Sequence, residues 1–297
     1  MPRTIIDLHL HSTHSDGKLT LQQIVKKLAL AGIDFASLTD HDSTAGSKEF
    51  AVLAGKAGIK TVSGVEISAD QEGIGLHILG FGINTKHAKL VDLFKKQAAE
   101  RKKSFIKTVD LFQKAGFIID RHKFNKLKNV KTIAKPHIFE LIYETAANRV
   151  LLSRKFLFRD GEKPMSKFIQ KFMSYPDQLG YVKKPRISCR EAIRLIHASG
   201  GIAVWAHPGV EEEIKPGNLP KILKRLAAYG LDGLEAFSSA HTKRQMKYFY
   251  KLAGRFRLLV TMGSDDHGGT RIGEPKINYK YHKEALASLL SKINPEK

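Results

Sequence analysis

Short apolar runs separated by longer amphipathic stretches dominate both ends of the chain. The runs Thr4–Leu10, Phe35–Leu38, Lys60–Ile67, Leu76–Phe81, Ile202–Trp205, Leu231–Phe237 and Leu258–Met262 have the length and composition of β-strands. Between them, Leu21–Ala31, Arg190–Ala198 and Leu219–Ala228 carry apolar residues at helical spacing. Thr20 and Ser43 stand where helix N-caps are expected, and Gly32 where a helix stops. Alternation of strand and helix predicts parallel strands joined by crossover helices. From about residue 90 to 190 strand signals disappear, and Ala88–Gln113, Pro136–Thr145 and Lys163–Phe172 read as helices. The pattern predicts an α/β barrel over residues 1–94 and 191–297, interrupted by a helical insertion over 95–190. No internal repeat or low-complexity linker is visible.

One predicted strand breaks the apolar pattern. In DLHLHSTHSDG, Asp7, His9 and His11 alternate with Leu8 and Leu10. Side chains at i and i+2 share one face of a strand, so the three polar groups point the same way. Two imidazoles at that spacing can grip one metal ion; the plainer alternative is a half-exposed edge strand carrying histidine. Other strand ends carry similar groups. TDHDS holds Asp40, His41 and Asp42, GVEIS places Glu66 in an apolar strand, and Leu76–Phe81 includes His77. Ile202–Trp205 runs into AHPG with His207, and the last strand opens into GSDDHGG with Asp265 and His267. In parallel barrels, the C-terminal ends of strands carry the chemistry. Singly, each residue could be a salt bridge, a cap or a satisfied core histidine. Together they would bury many unpaired ionisable groups at one rim, which is costly unless they are paired or bind metal.

Composition narrows the choices. Cys189 is the only cysteine among 297 residues, so internal disulfides are excluded and a metal site must use histidine and carboxylate. A lone thiol also suits a reducing cytoplasm. No apolar run approaches the roughly 20 residues of a membrane span, and MPRTIIDLHLH is too short in apolar residues for a secretory signal. The formal charge is +21, and residues 95–190 supply 24 Lys+Arg against 8 Asp+Glu, or +16 of it. Such a segment suits a polyanionic partner, a nucleotide or nucleic acid, or else serves as a solubilising surface.

HLHSTHSDG, LTDHDS, GVEIS, His77, AHPG and GSDDHG together resemble the PHP (polymerase and histidinol phosphatase) superfamily of metal-dependent phosphoesterases. The motifs run from residue 7 to 268. The chain looks most like the branch acting on nucleoside 3′,5′-bisphosphates and short 5′-phosphorylated RNA. That resemblance implies a distorted (β/α)7 TIM-like barrel with a helical insertion after the fourth strand. It also implies two to three divalent ions, manganese first, zinc or iron as alternatives. His9 and His11 would join Glu66 and Asp265 on the first. Glu66 would bridge to a second held by His77 and His207, and Asp16, His41 and His267 would hold the third. His14 falls at a variable position and reads as a surface histidine. Asp266 stands where an aromatic residue is more usual. In AKPHI, Lys135 (usually arginine in the family) and His137 are expected near a helix start, where backbone N–H groups favour anions. His241, in FSSAHT, resembles a position facing substrate.

With the ligand set that the resemblance implies, the charge count fits the reaction. Six neutral histidines and three carboxylates with three divalent ions leave a formal +3, which one hydroxide and a phosphate monoester dianion neutralise. Hydrolysis by metal-bound water follows, without a nucleophilic serine or cysteine. Two further readings compete. One is a PHP phosphatase for another monoester such as histidinol phosphate; the other is a catalytically dead nucleic-acid-binding protein. The sequence carries no signal for oligomeric state.

Overall fold

The structure, a computed structural model, describes residues 4–128, 133, 135–159, 164–183, 186–210 and 216–293. The chain divides into two compact units, residues 1–94 with 186–297, and residues 95–185.

Among the described residues, the first unit contains nine strands in two sheets. β1 (Ile6–Leu10), β2 (Phe35–Leu38) and β3 (Lys60–Thr61) form a parallel sheet in that order. β4 (Gly64–Gln71), β5 (Ile74–Phe81), β6 (Ile187–Ser188), β7 (Ile202–Trp205), β8 (Gly233–Ser238) and β9 (Leu259–Gly263) form the other, in the order β6-β4-β5-β7-β8-β9. Single parallel bridges, Leu10 to Asp266 and His41 to Glu66, link the ends of the small sheet to the large one.

Three features depart from the all-parallel, seven-strand expectation. The run Lys60–Ile67 breaks into β3 and β4, which belong to different sheets. The break lies at Gly64, where a Cβ would stand 2.2 Å from Ser37 Oγ, so only glycine lets the chain pass β2 so closely. β4 and β5 form an antiparallel hairpin, and β5 also runs antiparallel to β7. Its turn residues, Glu72 and Gly73, have φ of 54° and 89°, the left-handed pair that suits a two-residue hairpin. Lastly, β6 pairs Ile187 and Ser188 with Ala69 and Asp70, so the unit boundary falls at 185/186 instead of 190/191.

Eleven helices are present among the described residues: α1 (Leu21–Leu30), α2 (Ser47–Lys56), α3 (Ala88–Lys114), α4 (Arg121–Leu127), α5 (Lys135–Tyr143), α6 (Ala146–Phe156), α7 (Pro164–Phe172), α8 (Cys189–Ala198), α9 (Leu219–Ala228), α10 (Lys243–Arg255) and α11 (Tyr279–Ile293). Lys163, expected to start α7, lies outside the described residues. Thr20 caps α1 through a reciprocal box with Gln23, and Gly32 follows its end at φ 66°. Ser43 is not a cap. It accepts the Ala45 N–H at 3.3 Å in a local turn, and α2 begins only after Gly46. No helix is long and apolar enough to cross a membrane among the described residues.

Amphipathic faces pack these helices on the sheets. α8 buries Ala192, Ile193 and Ile196 in a core with Ile78, Phe81 and Trp205. α1 and α2 close a smaller core of Leu10, Leu28, Leu38 and Phe50. The second unit has its own core, built on Phe105, Phe112, Phe117, Phe158, Phe168 and Phe172.

Candidate metal centre

β1, although terminal in its sheet, is buried at every position, so its histidines are not those of a half-exposed strand. β9 approaches it tightly: a Cβ on Gly263 would lie 2.2 Å from His9 Cβ. That contact brings the loop after β9, with Asp265, over His9 and His11. Glu66, on β4 and inaccessible to solvent, occupies the middle of the cluster. Its Oε2 lies 3.1 Å from His9 Nε2, 3.1 Å from His11 Nε2 and 3.2 Å from His41 Nδ1. Its Oε1 lies 2.9 Å from His207 Nε2 and 3.3 Å from His77 Nδ1. Five histidines thus converge on one carboxylate. Asp265 Oδ1 approaches His11 Nε2 at 3.3 Å, and Asp16 Oδ1 approaches His267 Nε2 at 3.3 Å.

Three groups offer atoms mutually within 4.8 Å: His9, His11, Glu66 and Asp265; Glu66, His77 and His207; and His11, Asp16, His41 and His267. All nine residues singled out from the sequence are brought together, with Glu66 and His11 each belonging to two groups. His11 Nε2, Asp16 Oδ1, His41 Nδ1 and His77 Nδ1 are buried without a hydrogen-bond partner. Buried polar atoms are nearly always paired. Donor atoms that converge on common points are what a bound cation requires, and mixed nitrogen and oxygen donors suit a divalent transition metal.

The charges are tightly interdependent. Burial alone would raise the Glu66 carboxyl, but His41, His9 and His77 hold it well below the usual range. Burial also opposes charge on the histidines. It prevails at His77, pushed down to about 4, and at His41, held well below its ordinary value. It loses at His11, where the nearby Asp265 and Glu66 carboxylates lift the ring to about 10, and at His207, lifted to about 9 chiefly by Glu66. His9 is also raised well above its ordinary value, by Glu235, Glu66 and Asp265. Without metal, protons on some rings balance the buried carboxylates.

A surrounding layer of acids holds these donors in place. Glu235, on β8, accepts from His9 Nδ1 at 3.0 Å and from the His207 backbone N–H at 2.9 Å. The signal for it was the one that exposed Glu66, an acid inside an apolar strand, but it went unread in LEAFS. Asp40 accepts the Ser12 N–H and hydroxyl, each at 2.7 Å, and the Ser15 hydroxyl at 2.5 Å, fixing the loop after β1. Asp42 accepts the Ser68 N–H at 2.9 Å, tying that same rim to β4. Asp7, pushed up to about 6 by burial, accepts backbone N–H groups of Ser264 and Gly273 at 2.9 and 3.0 Å. Two donors sit in strained backbone, His207 at φ 25° and Asp265 at φ 49°, as residues at functional sites often do.

Other expected residues fall as follows. His14 is half-buried, its ring 3.0 Å from where a Gly46 Cβ would stand, so it is not a plain surface histidine. Asp266 is buried and accepts the Arg271 N–H at 2.9 Å and the Gly269 N–H, shaping the loop after Asp265. His241 is buried. Its Nδ1 donates to the Ala236 carbonyl at 3.2 Å and its Nε2 accepts the Gly209 N–H at 3.1 Å, so it braces the loop after His207. Lys135 and His137 lie in the first turn of α5, in the second unit.

The PHP domain family matches residues 7–295. A 5′-3′ exoribonuclease of Haemophilus influenzae is 33% identical, over 88% of this chain and 89% of its own length. A phosphoribosyl 1,2-cyclic phosphate 1,2-diphosphodiesterase of Eggerthella lenta is 31% identical, over 89% and 94%. A 3′,5′-nucleoside bisphosphate phosphatase of Chromobacterium violaceum is 28% identical, over 90% of each. Among solved structures, an amidohydrolase from Chromobacterium violaceum with bound sulfate and no metal superposes with a TM-score of 0.82 at 27% identity, covering 96% of this chain and 97% of that one.

Proposed function

The chain belongs to the PHP family and is a metal-dependent phosphoester hydrolase, and from that premise we propose that it converts nucleoside 3′,5′-bisphosphates to 5′-nucleotides and phosphate and trims short 5′-phosphorylated RNA. The observation that carries the chemistry is the sharing of Glu66 and His11 among three donor groups. We assign His9, His11, Glu66 and Asp265 to one ion, Glu66, His77 and His207 to a second, and Asp16, His41 and His267 to a third, with manganese as the metal. Divalent ions there supply Lewis acidity, easing deprotonation of water and neutralising phosphate oxygens. Glu235 keeps a proton on His9 Nδ1, which leaves Nε2 to point at the donor cluster. The two bridged sheets are read as one distorted barrel, and the single buried thiol, Cys189, suits a cytoplasmic setting.

Nucleotide specificity draws on the names of the relatives and on the second unit. There, Arg101, Ser104 and Lys135 lie around one cavity of about 20 Å³, with His137 on the same helix turn as Lys135. In this scheme the insertion anchors a 5′-phosphate while the phosphate on the 3′ side is hydrolysed. Replacing Lys135 with Ala should weaken the preference for 5′-phosphorylated over 5′-hydroxyl RNA by about 1.5–3 kcal/mol, the cost of one charge-assisted hydrogen bond. Matched kcat/KM measurements test this, and an equal fall on both RNAs would show that Lys135 is not the anchor. The wider test is a substrate panel on manganese-loaded protein: adenosine 3′,5′-bisphosphate, 5′-phosphorylated RNA, phosphoribosyl 1,2-cyclic phosphate and histidinol phosphate. Release of 5′-AMP and phosphate from the first supports the proposal. Turnover of the cyclic phosphate alone would transfer the chain to the activity named for its Eggerthella lenta relative, which is nearly as similar.

A further inference from the structure

Beside the metal centre, the first unit holds a cavity of about 860 Å³, within the size range of small-molecule sites. None of the nine metal-donor residues lines it. One wall is aromatic: Phe237 packs against Tyr281 with ring centres 4.8 Å apart, and Tyr281 against Tyr250 at 5.2 Å. Tyr250 is held by its hydroxyl, which donates to Glu284 at 3.1 Å. Lys243, Lys247 and Arg271 line the cavity too, all exposed and with no ion pair among the described residues. Lys276 and Glu274, also in the wall, offset each other at 4.0 Å. An aromatic wall with three unneutralised cations matches a nucleotide, whose base presents a π-face and whose phosphate presents the charge.

The same loops build this cavity and the metal centre. His241, in the cavity wall, accepts the N–H of Gly209, two residues past His207. Ser239, also in the wall, donates to the carbonyl of Ser264, next to Asp265. Arg271 is placed by its own N–H bond to Asp266, on the other side of Asp265. The loops that carry His207 and Asp265 are thus tied to the wall of the cavity.

That adjacency bears on how one centre could act on both a phosphomonoester and RNA. In either substrate water adds to phosphorus, the P–O3′ bond breaks, and the proton passes to O3′ of the released nucleotide. The substrates differ only in what else the phosphorus bears. In a 3′,5′-bisphosphate it bears a free oxygen; in RNA that oxygen is O5′ of the next nucleoside. We propose that the cavity receives this next nucleoside, its base against Phe237, Tyr250 and Tyr281 and its downstream phosphate beside Lys243, Lys247 and Arg271. The inference rests on the nucleotide activity proposed above and gives it a second subsite.

The test compares kcat/KM on adenosine 3′,5′-bisphosphate with that on a 5′-phosphorylated triadenylate, using manganese-loaded full-length protein. Lys247→Ala combined with Arg271→Ala removes two exposed cations and should lower the rate on the trinucleotide at least about tenfold while leaving the bisphosphate within about twofold. Tyr281→Ala should act the same way, and Tyr281→Phe should restore the rate, because stacking needs the ring and not the hydroxyl. Equal losses on both substrates, or unchanged trinucleotide hydrolysis, would overturn the subsite and leave the bisphosphate activity standing. A wild-type enzyme that cleaves only the bisphosphate would do so too. Failure of the wild type on both substrates would instead remove the nucleotide activity, and the subsite with it.

Discussion

The two compact units bury polar groups in opposite ways. In the second unit Asn148 is almost wholly inaccessible, and every part of its amide is matched. It accepts the Ile118 N–H at 2.8 Å and donates to the carbonyls of Ile118 and Ile142 at 2.8 and 2.9 Å. Around it the core is phenylalanine and aliphatic side chains, with the unit's many lysines outside. In the first unit five histidines crowd one carboxylate, and buried atoms of His11, Asp16, His41 and His77 have no hydrogen-bond partner. A satisfied buried polar group specifies a fold. A set that shares one focus and keeps unpaired atoms points to a ligand, because a bound cation would satisfy the atoms left over. The donor cluster of the first unit therefore serves chemistry at the expense of its own stability.

The sharpest way to break this contrast is at Glu66. Glu66→Gln removes the negative charge facing five histidines and should lower kcat/KM by on the order of 100-fold or more. Metal content by elemental analysis should fall with it, and the metal-free protein should lose about 3–5 kcal/mol, as when one partner of a buried ion pair is removed. His14→Ala, outside the donor groups, should change activity far less; matching losses would mean the donor assignment is wrong. In the other unit, Phe168→Ala should cost about 3–5 kcal/mol of stability by opening a cavity. Metal content should remain that of the wild type. Loss of metal in this variant would show that the units do not divide the tasks as described.

A smaller effect is expected one layer out. Glu235→Gln leaves all nine donors in place but removes the charge that orients His9 and braces the His207 backbone. Metal affinity should fall about 10–100-fold, measured by competition with a chromophoric chelator, and a value equal to wild type would make Glu235 merely structural. The smallest effect concerns pH. In the metal-free protein His207 and His11 keep their protons up to about 9 and about 10. A metal must displace those protons, so binding releases them and apparent affinity rises with pH until those values are passed. Calorimetry in buffers of different ionisation enthalpy reads the release directly. Metal uptake with no proton release would show that the rings are already neutral.

Much of this was readable without coordinates, for identifiable reasons. Strand period and strand-end position marked His9, His11, Glu66, His77, His207 and Asp265, since a polar residue in an apolar run stands out by local contrast. Thr20 and Gly32 were readable because caps depend on a few neighbouring residues. Ser43 misled because the chain makes a local turn there and only later begins α2. The hairpin of β4 and β5 was hidden in QEGI: its two left-handed turn residues are a weak signal beside the expectation of parallel strands.

By itself the sequence determined which residue types were available for chemistry, and that any metal must be held by histidine and carboxylate. Tertiary structure alone decided how those residues meet. Glu235 reaches His9 across 226 positions, and Asp7 reaches Ser264 across 257. Glu66 became a hub only because β4 leaves the small sheet at Gly64 and bridges back to His41. Local pattern records what each residue prefers. Which charges share one buried volume depends on chain closure over hundreds of residues, and that closure also sets the electrostatics at the centre.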